Sequence, residues 1–289
     1  MRIAVVTASN DAYFDSLELL LRSLAGFERY GDIGTHVLDV GLNETQVRTL
    51  QAAGHAIVRP GWDVDVSPWK GVPEWFKAMT ARPFLPKHIS GADLLLWLDA
   101  DIWVQDQDML YDYVRAALGG SFAVCLEMDR CYDNVFMRNA SKEIYHDNLL
   151  KYYGQEAANR LIHLPMMNCG AFAMTRDHPL WTLWQTTMQG AVKKHCSNFL
   201  EQTALNMAVF SGNMAPHFLP ARHNWMACHA VPMLDEASGL FVEPAVPHDR
   251  LGLVHLACGL WKRDDVDYRS TTGKSLKGPL RAHATAKVD

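Results

Sequence analysis

Two rhythms of apolar residues alternate along the first third of this chain. Residues 2–8 form a short apolar run that breaks at Ser9, Asn10 and Asp11. A brief run without polar alternation predicts a strand covered on both faces and then a turn. From Tyr13 to Tyr30, Phe14, Leu17, Leu20, Leu21 and Leu24 recur at amphipathic-helix spacing, and Gly31 and Gly34 allow the helix to stop. Val37–Val40 predicts a second strand. Asn43-Glu44 opens a second helix running to Gly54, and Ala56–Val58 predicts a third strand. Strand and helix in alternation predict a parallel sheet with crossover helices.

The rhythm then loosens. Residues 59–75 carry three Pro, three Trp and two Gly, which suits an irregular loop. A helical stretch over Phe76–Ile89 leads to Leu94-Leu95-Leu96-Trp97-Leu98, an apolar run fit for a central strand that ends at Asp99-Ala100-Asp101. Further helices are predicted near 109–118, 141–153, 178–194 and 201–210, and strands over 122–126 and 169–175. Beyond residue 212 the pattern breaks into short strands and loops. From Tyr268 to Asp289 five basic residues face one acidic one among few large apolar groups, which predicts a surface-draped or mobile tail. The division expected is one α/β catalytic domain over 1–265 and a basic C-terminal tail over 266–289.

Composition narrows the function classes. At 289 residues with a net charge of −5, the chain lacks the basic excess of a dedicated nucleic-acid binder. No apolar run approaches the roughly 18–20 residues that span a bilayer. The N-terminus turns polar too soon for a signal peptide. The cysteines (Cys125, Cys131, Cys169, Cys196, Cys228, Cys258) include no C-x-x-C pair, so reduced thiols in a cytoplasmic protein are expected. The basic tail leaves room for peripheral contact with the inner membrane face or a lipid-linked acceptor.

The chemistry concentrates at the end of the Leu-rich strand. Carboxylates two apart on extended backbone face one side, so Asp99 and Asp101 are able to converge. Adjacent anions repel unless a cation lies between them, and oxygen ligands suit Mg²⁺ or Mn²⁺. The alternative is a turn-capping Asp99 and a solvated Asp101. In His255-Leu256-Ala257-Cys258-Gly259-Leu260-Trp261-Lys262, a neutral imidazole suits Mn²⁺, Gly259 admits a phosphate close to the backbone, and Lys262 offers it a positive charge. His255 reads equally as a core histidine satisfied by hydrogen bonds. Asn168 before Gly170 offers an amide to sugar hydroxyls, or is part of a turn. Glu201 sits near a helix N-terminus, where an acid is favoured without catalysis.

Taken in order, these segments resemble the metal-dependent GT-A glycosyltransferases, most closely the family 8 retaining hexosyltransferases (the lipopolysaccharide galactosyltransferase and glycogenin group). The resemblance spans about residues 2–262. It rests on Ala4–Tyr13 with Leu20–Leu24, Lys77–Pro86 bearing Arg82, Leu98-Asp99-Ala100-Asp101, Asn168-Cys169-Gly170, Glu201-Gln202-Thr203-Ala204-Leu205-Asn206, and His255–Lys262. The chain departs from the family pattern at Ala12, Glu201, the longer His255-to-Gly259 spacing and Arg263-Asp264.

The resemblance implies a Rossmann-like nucleotide-diphospho-sugar transferase fold, with a mixed, mostly parallel sheet flanked by helices. It also implies a nucleotide-sugar donor, UDP-linked, and a saccharide, lipid-linked or other acceptor. Asn10 and Tyr13 would lie against the base with Thr7 nearby. Asp99, Asp101 and His255 would hold Mn²⁺ (or Mg²⁺). Arg82, Asn168 and Lys262 would meet the diphosphate or donor sugar, and Gln202 and Glu201 would lie under the anomeric carbon. Trp62, Trp69, Trp75, Glu127 and Asp129 are candidate acceptor contacts. A sugar-phosphate nucleotidyltransferase fits less well, because Ala8-Ser9-Asn10-Asp11 lacks the glycines of its phosphate loop. A non-catalytic nucleotide-sugar or carbohydrate binder is the remaining alternative.

Overall fold

The computed structural model describes residues 1–132 and 139–284. The alternation predicted for the N-terminal third is present. Strand β1 (Arg2–Ser9) leads to helix α1 (Phe14–Ser23), β2 (Asp32–Asp39), α2 (Glu44–Ala52) and β3 (Ala56–Val58). Asn43 caps α2 by accepting from the Thr45 and Gln46 amides, while Gln46 returns a bond to the Asn43 N–H. After the Trp-rich loop come two short helices, α3 (Lys77–Ala81) and α4 (Leu85–His88), in place of one continuous helix. The turn that carries Arg82 and Pro83 divides them, since proline has no amide to continue the ladder.

Strands β4 (Leu94–Leu98) and β5 (Ile102–Val104) then flank the acidic turn, and α5 (Gln107–Leu118) and β6 (Ala123–Leu126) follow. Helix α6 (Asn139–Tyr153) matches the one expected near 141–153, and a further helix, α7 (Gln155–Leu161), follows after Gly154, whose φ of +89° favours glycine. The order continues with β7 (Met167–Thr175), α8 (Leu180–Val192), α9 (Leu200–Ser211) and β8 (His217–Leu219).

The main sheet runs β3-β2-β1-β4-β7-β6-β8. Strands β1–β4 are mutually parallel where they pair, β7 is antiparallel to both neighbours, and β8 is parallel to β6. Its central strands are buried on both faces. Ala4 and Val6 of β1 and Leu95 and Trp97 of β4 enter one core with α8 and α9. Ile3, Val5, Leu94, Leu96 and Leu98 enter the other with α5. That explains why these strands read as continuous apolar runs.

The C-terminal region builds a third core. Strands β9 (Trp225–Met226), β10 (Met233–Asp235), β11 (Leu240–Val242) and β12 (Leu253–His255) include a small sheet ordered β5-β12-β9. Of the two readings of the tail, surface-draped or mobile, the structure fits the first as far as residue 284. Strands β13 (Val266–Arg269) and β14 (Ser275–Gly278) form an antiparallel hairpin. Val266 and Leu280 are buried in the third core, Tyr268 bonds His283 at 2.8 Å, and Arg281 donates to the Trp261 carbonyl at 2.6 Å. Those few anchors suffice, so sparse apolar content did not mean a loose segment. Residues 133–138 and 285–289 lie outside the described residues. Among the described residues, no helix is long and apolar enough to cross a membrane.

Candidate active site

The acidic turn lies where the main sheet meets the small one. The Asp99 amide donates to the Gly170 carbonyl at 2.7 Å, which ties the end of β4 to the start of β7. Antiparallel pairing of β5 with β12 sets His255 opposite Ile102, and the Leu256 amide donates to the Asp101 carbonyl at 2.9 Å. These two pairings bring together residues remote in sequence. His255 Nε2 lies 3.3 Å from Asp101 Oδ1 and 3.8 Å from Asp99 Oδ2, and one ligand atom from each residue falls within 4.8 Å of the others.

Burial and opposing charges set the electrostatics of the turn. Burial raises the Asp99 carboxyl above its ordinary range even though Arg82 pulls it down, and Asp101 adds to the rise. Burial alone would depress the His255 imidazole, but Asp101 and Asp99 outweigh it and raise it. His255 Nδ1 bonds Asn224 Oδ1 at 3.1 Å, and Asn224 Nδ2 donates to Asn168 Oδ1 at 2.9 Å. A neutral imidazole in that arrangement donates through Nδ1 and turns the Nε2 lone pair toward the carboxylates, the orientation a metal ligand requires. Two carboxylates and one imidazole fit Mn²⁺ or Mg²⁺.

Gly170 makes the approach possible. A Cβ there would collide with His255 Cε1 and Asn168 Oδ1. The Asn168 and Gly170 pattern therefore sets backbone clearance as well as offering an amide.

Arg82 joins two acids, donating to Asp99 Oδ1 through one terminal nitrogen and to Glu201 Oε1 through the other, with its guanidinium over the Trp97 ring at 4.9 Å. Trp97 Nε1 also donates to Asp99 Oδ1 at 2.9 Å. The arginine expected on the diphosphate thus has both terminal nitrogens engaged by carboxylates. Burial raises the Glu201 carboxyl against the pull of Arg82, and Glu201 Oε2 is buried without a hydrogen-bond partner.

Next to it, Gln202 is held on both sides of its amide. Oε1 accepts from the Cys169 N–H at 3.0 Å, and Nε2 donates to Glu127 Oε1 at 3.0 Å. Asn168 Nδ2 donates to the same Glu127 oxygen at 2.8 Å. Asn206, one turn further along α9, exchanges bonds with the Met167 amide and carbonyl at 2.8 and 3.0 Å, locking α9 to β7.

Two cavities meet at the carboxylate pair, sharing Tyr13, Trp75, Met79, Arg82, Asp99 and Asp101 in their linings. One, of about 420 Å³, continues past Ser9, Asn10 and Lys262. Asn10 accepts from the Tyr13 amide at 3.2 Å, the Tyr13 ring lies 4.3 Å from that of Trp261, and Lys262 Nζ stands 4.8 Å from the Trp261 ring. The other, of about 600 Å³, takes in Glu127, Asn168, Glu201, Gln202, His255 and Gly259.

Not every expected residue is in place. Thr7 is fully buried within β1 and lines neither cavity, because the strand alternation turns it into the sheet's packing. Of the three tryptophans, Trp75 lines both cavities; Trp62 packs against the core beside Lys77, and Trp69 donates to the Val192 carbonyl at 2.7 Å. Asp129 caps a local turn at the Cys131 amide and lines neither cavity, whereas Glu127 lines the larger. Sequence reasoning missed Asn224 and His229. Neither carries a local signal, since each gains its place through β9 and the turn after it.

No family model matches the chain, and no curated protein matches it in sequence. Solved structures do. The galactosyltransferase LgtC, in a complex with donor and acceptor sugar analogs, superposes with a TM-score of 0.55 at 19% identity, over 90% of each chain. Mouse xyloside xylosyltransferase 1 superposes with a TM-score of 0.53 at 15% identity, over 90% of this chain and 99% of that one. The fold is GT-A. The GT-A reading made from motif order thus holds at the level of architecture: a mixed sheet, mostly parallel in its first half, between helical layers. At these identities the likeness concerns the fold; the chemistry has to be argued from the residues.

Proposed function

We propose that the chain is a metal-dependent glycosyltransferase that moves a hexose from a UDP-sugar to an acceptor hydroxyl with retention. The observation that carries this reading is the meeting of two cavities at Asp99, Asp101 and His255. Mn²⁺ or Mg²⁺ held by these three side chains would offset negative charge growing on the leaving diphosphate. The smaller cavity suits the nucleotide, with Asn10 and Tyr13 against the base and Lys262 near the phosphates. The larger suits the sugars, with Asn168 and Gln202 fixed in orientation by Glu127 and the β7 backbone. Gly259, with φ +78°, admits a phosphate close to the main chain. Arg82 keeps Asp99 and Glu201 in register.

In the transfer, the bond from the anomeric carbon to the diphosphate oxygen breaks with its electron pair going to the diphosphate. The acceptor oxygen bonds to that carbon, and its proton leaves with the diphosphate. Gln202, and Glu201 beside it, would lie under the reacting carbon. The test is hydrolysis or transfer of a panel of UDP-sugars with Mn²⁺ and with chelator, in the wild type and in Asp101→Asn. Turnover that needs the metal and is lost in the variant supports the reading. Metal-independent turnover untouched by the substitution overturns it, and UDP binding without any turnover makes the chain a nucleotide-sugar binder.

A further inference from the structure

The larger cavity has a wall that the transfer chemistry does not explain. Beyond Glu127, Asn168, Gln202 and His229, its lining includes Ile144 of α6, Ile162, Leu164 and Pro165 after α7, and Phe199 before α9. Most of this wall belongs to a helical lobe with a small core of its own around Tyr145, Leu149, Leu161 and Ile162. Ile144 is 48% exposed and Phe199 39%, and neither is placed in any of the apolar cores of the described residues. Large apolar side chains left open to a cavity mark a surface that an apolar ligand covers.

The shape of the wall selects the ligand. Sugars stack on flat aromatic faces and need hydrogen-bond partners; Phe199 offers such a face at one edge of the wall, whereas Ile144, Ile162, Leu164 and Pro165, which make up the rest of it, provide neither. At the polar end, His229 Nε2 is buried without a hydrogen-bond partner, 3.6 Å from Glu127 Oε2, and both residues line the cavity. That end suits a hydroxyl, which both donates and accepts.

Resting on the glycosyl-transfer reading, we infer that the acceptor is an amphiphile. Its hydroxyl enters at Glu127 and His229, and an alkyl chain attached close to its sugar lies along the wall of Ile144, Ile162, Leu164 and Phe199. The wall is continuous with the cavity that holds Gln202 and the carboxylates, so one acceptor reaches both.

The experiment compares dissociation constants of methyl, phenyl and octyl β-glucoside, below micelle-forming concentrations, with Mn²⁺ and UDP present. Metal-dependent UDP-sugar hydrolysis is measured on the same preparation. The octyl compound is expected to bind at least about tenfold more tightly than the methyl one, since each buried methylene contributes several-fold. Ile144→Asp and Phe199→Asp should each cut that ratio at least about threefold without lowering the melting temperature. Val246→Ser, at an exposed position away from the cavity, should leave it intact. An octyl-to-methyl ratio near one, a phenyl compound as tight as the octyl, or a ratio that survives both aspartate variants overturns the inference. Hydrolysis that fails while the ratio holds overturns glycosyl transfer and leaves the alkyl-binding wall standing.

Discussion

The two ends of the larger cavity are built in opposite ways. At the carboxylate end, polar side chains are paired with one another: His255 on Asn224, Asn224 on Asn168, Asn168 and Gln202 on Glu127, Arg82 on Asp99 and Glu201. Those residues come from both sheets, α9 and the turn ahead of α4, so their geometry is fixed by long-range packing. At the other end, Ile144 and Phe199 stand open, outside the apolar cores of the described residues. A reacting centre needs preorganised charge, because dipoles aimed in advance need no rearrangement during the reaction. A surface for a hydrocarbon needs only area. Substitutions should therefore act on stability, metal affinity and turnover at the first end, and on acceptor affinity alone at the second.

The sharpest contrast comes from Arg82→Met. It leaves the half-buried Asp99 and the buried Glu201 without their shared cation and should cost about 3–5 kcal/mol in urea unfolding; a loss under about 1 kcal/mol would mean the pair is solvated. Asp101→Asn should lower metal-stimulated turnover about a hundredfold, measured against the rate with chelator. Asn224→Leu, which frees the His255 ring, should weaken Mn²⁺ binding about 10–100-fold by calorimetry. Smallest in stability is Ile144→Asp, expected within about 0.5 kcal/mol of wild type by urea unfolding, with its effect confined to acceptor binding. A large stability loss there would erase the distinction between the two ends.

The same division decides what could be read from sequence. Strands β1 and β4 were legible because burial on both faces leaves an unbroken apolar run, and Asp99 with Asp101 stood out because charge ends such a run abruptly. His255 came to the site through motif order; its spacing from Asp101 says nothing about the β5–β12 pairing that joins them. Asn224 could not be read at all, for an asparagine between His223 and Trp225 has no pattern until β9 sets it beside the imidazole. The C-terminal hairpin has no legible pattern because a few side chains, Val266 and Leu280 among them, anchor it, too few to set a period. Thr7 was misplaced for the reverse reason. Its strand is as expected, but alternation gives only that Thr7 and Ala8 face opposite ways, not that Ala8 is the one that lines the cavity.

The central claim is that one divalent ion joins the aspartate pair to a distant histidine. Crystals soaked with Mn²⁺ and UDP, measured at a wavelength where manganese scatters anomalously, test it directly. The account predicts a single strong peak bonded to the carboxylates of Asp99 and Asp101 and to His255 Nε2. A peak that avoids His255, or manganese bound elsewhere while these three side chains keep their contacts to one another, would contradict it.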